Sequence, residues 1–194
     1  MPSIIDYSAV LSRMTSAGFR CNYHNSGAFG FPAKSPTIIR GWIGPPDLTI
    51  KSSLLPFIKS VPPPYESNLA AAAAGAWTKC LPGPVWVMPM SHWHFELHDG
   101  SRDWMPSLLK EIGVDPAQLE SRADGSAIEF TESESARFTQ LLAALLSDLR
   151  VSDFSMAFPG HQVVCMVHHH KQLWWTAADV ALIDQISASL RLSA

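Results

Sequence analysis

The clearest structural signal in the chain is VSDFSMAFPGHQVVCMVHHHKQLW, residues 151–174. Its first part, Val151 to Phe158, has the composition of a strand, and Pro159-Gly160 is the pair that a type II turn favours. Gln162 to Trp174 is then predicted to be the returning strand of a β-hairpin. The run VVCMV within it is apolar on both faces, which is typical of a central strand covered on both sides.

Helical segments flank this hairpin in the sequence. Thr131-Glu132-Ser133-Glu134 has the pattern of a capping box, and apolar residues at helical spacing continue from it to about Leu149. Thr176-Ala177-Ala178-Asp179 predicts the start of a final helix. Because helices alternate with strands and at least one hairpin is present, we predict an α+β fold. Its mixed or antiparallel sheet would carry helices packed on it, with a C-terminal β-hairpin followed by a helix.

The remaining elements are predicted from apolar periodicity and turn residues. Helices are expected over 4–17, 66–79 and 103–112, with a short one starting at Asp115; strands are expected over 19–24, 37–43 and 85–97; a loop is expected over 26–36 and a turn over 44–47. The length of 194 residues fits one domain, residues 1–194, with a proline-rich and less regular segment over about 26–64.

Composition excludes several classes of protein. Hydrophobic residues make up 47% of the chain and charged residues only 16%, against about 25% charged in average globular chains, so an intrinsically disordered chain is excluded. The longest apolar run, Leu69 to Trp77, is half of the roughly 18 residues that a bilayer span needs. The net charge of −3 comes without a Lys/Arg cluster, so neither nucleic acid nor a membrane surface is an expected partner.

The cysteines and the N-terminus indicate a compartment. Cys21, Cys80 and Cys165 are odd in number and far apart, which favours reduced thiols. The opening residues MPSIIDYSAV lack the basic and apolar regions of a secretory signal. The expected location is therefore the cytoplasm.

Histidines provide the candidate chemistry. The window SHWHFELH, residues 91–98, lies on the strand predicted over 85–97, where alternate side chains share a face. On a strand, His92, His94, Glu96 and His98 would share one face opposite an apolar face that contains Trp93. Neighbours two apart are separated by about 6.6 Å, so His92 and His94 could bind one metal ion.

The second window, HHHKQLWW at residues 168–175, could complete that site. If the two strands were adjacent, His168 or His170 would join His92 and His94 in a three-histidine set with an open coordination position, which suits zinc. The predicted metal ligands are His92, His94, His168 and His170, and Trp93, Glu96 and Trp174 are predicted to line the site. A small molecule or a metal ion is thus the expected partner.

Other interpretations stay open at this stage. A histidine could do acid–base work without a metal, because an unperturbed imidazole titrates near neutrality. An exposed Trp/His rim could instead serve a non-enzymatic interaction or homo-oligomerisation module, or the histidines could simply fill the rim of the sheet. The chain has neither a Gly-x-Ser-x-Gly nucleophile motif nor a phosphate-binding glycine loop. Whether the protein is an enzyme is left undecided.

Overall fold

The computed structural model describes residues 1–21, 27–32, 35–43, 58–98, 103–149 and 152–190. Within them lie ten strands: β1 (Ser3–Ile5), β2 (Arg20–Cys21), β3 (Phe29–Gly30), β4 (Ile38–Ile43), β5 (Ile58–Ser60), β6 (Val85–Pro89), β7 (Ala127–Phe130), β8 (Phe154–Ala157), β9 (Val163–His168) and β10 (Gln172–Ala177). The same residues form seven α-helices: α1 (Tyr7–Ser16), α2 (Tyr65–Cys80), α3 (Trp93–His98), α4 (Trp104–Glu111), α5 (Pro116–Glu120), α6 (Ser135–Asp148) and α7 (Val180–Ser189).

Eight of the strands form one mixed sheet in the order β1-β7-β6-β8-β9-β10-β4-β5. All neighbouring pairs are antiparallel except β4 and β5, which are parallel. β2 and β3 pair separately. The predicted α+β class, with helices on a mixed sheet and a C-terminal hairpin followed by a helix, is confirmed.

Strand β9 lies between β8 and β10 and is covered on both faces. Val163, Cys165 and Val167 belong to the large core that also contains buried residues of α2, α6 and α7. Val164, on the opposite face, belongs to a smaller core with residues of α1. Burial of each such aliphatic side chain stabilises the fold by about 1.5–3 kcal/mol. The prediction of a central strand covered on both sides is confirmed.

The predicted starts of α6 and α7 agree with the structure. Thr131 and Glu134 form the capping box, with the Thr131 amide donating to Glu134 Oε2 at 3.0 Å, ahead of α6. The Asp179 carboxylate accepts from the amide of Ala181 at 2.8 Å and begins α7. α2 and α4 also lie where helices are predicted over 66–79 and 103–112.

The N-terminal prediction is partly wrong. The helix predicted over 4–17 begins only at Tyr7, because Ser3–Ile5 pairs with β7 as β1. Ile4 packs on the large core and Ile5 on the smaller one, so the two side chains fall on opposite faces of the sheet, which is the spacing of a strand. Of the strand predicted over 19–24, the described part forms β2, and residues 22–24 lie outside the described residues. The turn predicted over 44–47 also lies outside them.

The strand predicted over 85–97 is wrong beyond Pro89. β6 ends there, and the chain turns and forms α3. The buried residues of α3 are Trp93, Glu96 and Leu97, whose spacing matches one face of a helix and not one face of a strand. The histidines of this window therefore project from a helix.

The returning strand predicted over 162–174 is also interrupted. β9 and β10 form a second hairpin in which His168 is paired with Gln172. Lys171 in the connecting turn has φ of 62°, a left-handed conformation that a continuous strand does not contain. No described helix has both the length and the apolar character needed to cross a membrane.

Candidate metal site

Helix α3 presents two histidines on one exposed surface. His94 and His98 are four residues apart, so their side chains lie one above the other on the helix, with ring centroids 4.6 Å apart. Helix α5 contacts α3 and brings Glu120 to the same place. Glu120 Oε1 lies 2.7 Å from Nε2 of His98 and 3.3 Å from Nδ1 of His94.

The position of α3 is fixed by its buried side. Trp93 is 1% exposed, and its indole Nε1 donates to the carbonyl oxygen of Ser126 at 2.7 Å. Glu96 is fully buried and accepts hydrogen bonds from the hydroxyls of Ser91 and Ser152. These contacts hold α3 against the sheet and direct His94 and His98 towards α5.

The exposed side chains of His94, His98 and Glu120 interact electrostatically. The hydrogen bond from His98, and then that from His94, hold the pKa of Glu120 below its ordinary value of 4.5. The carboxylate is therefore ionised over a wider acidic range and is available as an anionic ligand. One ligand atom from each of the three residues lies within 4.8 Å of the other two, so the group could hold a metal ion.

His92 stands apart from this group. Its Nδ1 lies 3.0 Å from Oδ2 of Asp124, and both side chains are exposed. His94 was predicted as a ligand together with His92, but the structure groups it with His98 and Glu120 instead.

A second histidine group lies in the β9–β10 hairpin. His168, His169 and His170 also have ligand atoms within 4.8 Å of one another. Asp153 Oδ1 accepts from the amide of His169 at 3.0 Å and from its Nδ1 at 2.8 Å. Nδ1 of His168 accepts a hydrogen bond from the backbone amide of His170 at 3.1 Å.

The first histidine window follows β6 and lies mainly on α3, whereas the second begins at the end of β9, and β6 and β9 are not neighbouring strands. β6 pairs with β8, and β8 pairs with β9, so the adjacency considered in the sequence analysis is wrong. The last residues of β6 and of β9 lie at the same end of the sheet, because β8 runs antiparallel to both strands. The structure thus places His94 in one candidate group, His168 and His170 in another, and His92 in neither.

The side chains predicted to line the site are dispersed. Trp93 and Glu96 are buried beneath α3, on the side away from His94 and His98. Trp174 is half-buried and lines a separate cavity of about 180 Å³ with residues that include Met166 and Ser155. Its Nε1 donates to Oε1 of Gln172 at 2.8 Å.

Sequence reasoning assigned His98 no primary role and missed Glu120. The His-x₃-His spacing of His94 and His98 was visible, but it indicates convergence only if the segment is helical. Glu120 lies 22 residues further along the chain, in a different helix, and no local pattern marks it as a partner.

Comparison with known proteins does not add a relationship to these observations. No protein-family model matches the chain, and neither a curated protein nor a solved structure shows significant similarity to it.

Proposed function

We propose that this protein binds a divalent transition-metal ion, zinc in the first instance, through His94, His98 and Glu120. The observation that carries the proposal is the single carboxylate oxygen of Glu120 that faces both imidazoles. Two imidazoles and one carboxylate are an established ligand set for zinc and for related divalent ions. In the absence of metal, protons on the imidazoles occupy the space between these atoms.

The distances suit replacement of those protons by an ion. Ligand atoms bound tetrahedrally at 2.0–2.1 Å lie about 3.3 Å from one another. Nδ1 of His94 is already 3.3 Å from Oε1 of Glu120, and Nε2 of His98 is 2.7 Å from the same oxygen. These two separations need a shift of about half an ångström at most, and the ligand nitrogens of the two histidines lie within 4.8 Å of each other. Three protein ligands would leave a fourth position open.

The His168–His170 group supports metal binding less well. The backbone amide of His170 can only donate, so Nδ1 of His168 is an acceptor and the neutral ring carries its hydrogen on Nε2. Binding of a metal by His168 would break that bond or require the other tautomer. Asp153 engages Nδ1 of His169, and among the described residues no hydrogen-bond partner occupies its Nε2, which provides one prepared ligand in this turn.

The interaction-module interpretation has less support from the described side chains. Trp77, Trp86, Trp93 and Trp175 are fully buried, and the exposed large apolar residues among those described are Met1, Ile39, Phe95 and Val180. Homo-oligomerisation stays a prediction. None of the three cysteines forms a disulfide, which supports a reducing compartment, and we propose the cytoplasm.

Calorimetric titration of the untagged protein with zinc chloride tests the proposal. We expect one strong site in the wild type and a loss of affinity greater than about 100-fold in His98→Ala, since removal of even an outer partner of a metal ligand costs roughly 10- to 100-fold. His92→Ala is the matched control, because it removes an exposed histidine that lies outside the group. Equal affinity in His98→Ala and wild type, or no binding by the wild type, would overturn the proposal.

A further inference from the structure

A cleft opens beside the candidate metal group. Its volume is about 280 Å³, and His98 and Glu120 form part of its wall. The rest of the lining is apolar, from Leu97, Pro106, Pro116 and Ala117, or charged, from Lys110 and Asp115. An open coordination position on a metal held by His98 and Glu120 would therefore adjoin this cleft.

Lys110 supplies the cationic side of the cleft. It lies near the end of α4, is exposed, and forms no ion pair with any described residue. Asp115 supplies a negative charge, but its Oδ1 is already engaged with the amide of Ala117 at 3.1 Å. Together with a divalent ion and the Glu120 carboxylate, these two residues leave one excess positive charge. One monoanion neutralises it.

The apolar lining and the small volume restrict the ligand further. The volume corresponds to roughly nine water molecules in the liquid, and it lies below the range of about 300–1,000 Å³ that is usual for drug-sized ligands. Leu97 and Pro116 are buried and form an apolar surface next to the charged side chains. A short aliphatic chain attached to an anionic head would match both parts.

We infer that the cleft binds a small aliphatic monocarboxylic acid. Its carboxylate would take the open metal position and contact Lys110, and its alkyl chain would lie against Leu97, Pro106 and Pro116. This inference rests on the proposed metal site and names the class of ligand that the site accepts.

The test uses butyrate and the cobalt-loaded protein, because Co²⁺ reports changes of its ligands through visible absorption. We expect a saturable spectral change with butyrate. Acetate, which lacks the longer chain, and butylamine, which lacks the carboxylate, should bind at least about 10-fold more weakly. Lys110→Met keeps most of the side-chain stem, and we expect it to weaken butyrate binding by at least about 10-fold, as removal of a charged hydrogen-bond donor does.

Ala117→Trp tests the cleft independently of charge. It places a large side chain in the space without changing a metal ligand, and we expect the same loss of butyrate binding. Neither variant should lose more than about 2-fold in cobalt affinity, and their circular dichroism should show the native fold.

The possible failures are distinguishable. One equivalent of bound cobalt with no response to butyrate, or equal butyrate affinity in the wild type and both variants, would overturn the inference and leave the metal site standing. Equal affinities for acetate and butyrate would likewise overturn the role of the apolar lining. Absence of cobalt binding would overturn the proposed function and this inference with it. A variant that loses its native spectrum leaves the other variant and the ligand series to decide.

Discussion

Oε1 of Glu120 lies 2.7 Å from Nε2 of His98, although the two residues belong to different helices and are 22 positions apart in the chain. The contact joins the short helices α3 and α5 at the surface. It also faces the cleft whose wall both residues form. This pair is therefore the structural link between the candidate metal group and the space in which a ligand would lie.

The first prediction concerns the charge of Glu120. Its pKa should lie below 4.5 in the wild type, because His98 and then His94 stabilise the ionised form. His98→Ala should raise it towards the ordinary value, and His94→Ala should raise it less. Carboxyl ¹³C NMR titration of the metal-free protein measures this pKa directly.

The sign of the linked stability follows from the same shift. Because the folded pKa is lowered, the stabilisation is fully present above about pH 4.5 and is lost as the pH falls through the folded value. An unshifted Glu120 in the wild type, or a larger effect of His94→Ala than of His98→Ala, would contradict this prediction.

The second prediction concerns Asp153 and the histidine turn. Asp153→Ala removes the acceptor of two hydrogen bonds from His169, and we expect it to lower the free energy of unfolding by about 1–3 kcal/mol. Asp153→Asn keeps an acceptor for the amide and should cost less. Urea denaturation measures both variants.

Zinc titration of the Asp153 variants serves as a further control. Affinity at the α3 group should stay at the wild-type value, because Asp153 contacts the other histidine group. A loss of zinc affinity in the Asp153 variants, with wild-type affinity in His98→Ala, would instead locate the ion at the β9–β10 turn.

The third prediction concerns the three thiols. Burial in β9 raises the pKa of the Cys165 thiol well above its usual value of 9.0, so this thiol stays protonated and unreactive. Cys21 and Cys80 are half-buried. In the native protein, a disulfide reagent such as DTNB should label Cys21 and Cys80 much faster than Cys165, and all three should react in denaturant. Rapid native labelling of Cys165 in a Cys21→Ser, Cys80→Ser variant would contradict the covered-strand assignment.

The parts of the fold that sequence predicts well depend on local signals. The capping box at Thr131 and the cap at Asp179 are hydrogen-bonding patterns within a few residues, and the structure contains both. The apolar run of β9 likewise predicts a strand that is buried on both faces, and β9 is buried in this way. β7, in contrast, is only four residues long, and pairing with β1 and β6 defines it more than its own composition does.

The candidate site depends on features that local patterns leave ambiguous. The residues 92–98 fit a strand by alternation of polar and apolar side chains, but also fit a helix by the spacing of Trp93, Glu96 and Leu97. Burial of those three against the sheet decides for the helix. That choice changes the partner of His94 from His92 to His98, and only tertiary packing then adds Glu120.

The location of the bound ion can be measured directly. Crystals of the untagged protein grown with one equivalent of zinc chloride should give an anomalous peak at the zinc absorption edge. We predict this peak within about 2.2 Å of Nδ1 of His94, Nε2 of His98 and Oε1 of Glu120. A peak confined to His168, His169 and His170, or no peak at either group in zinc-saturated crystals, would contradict the proposed site.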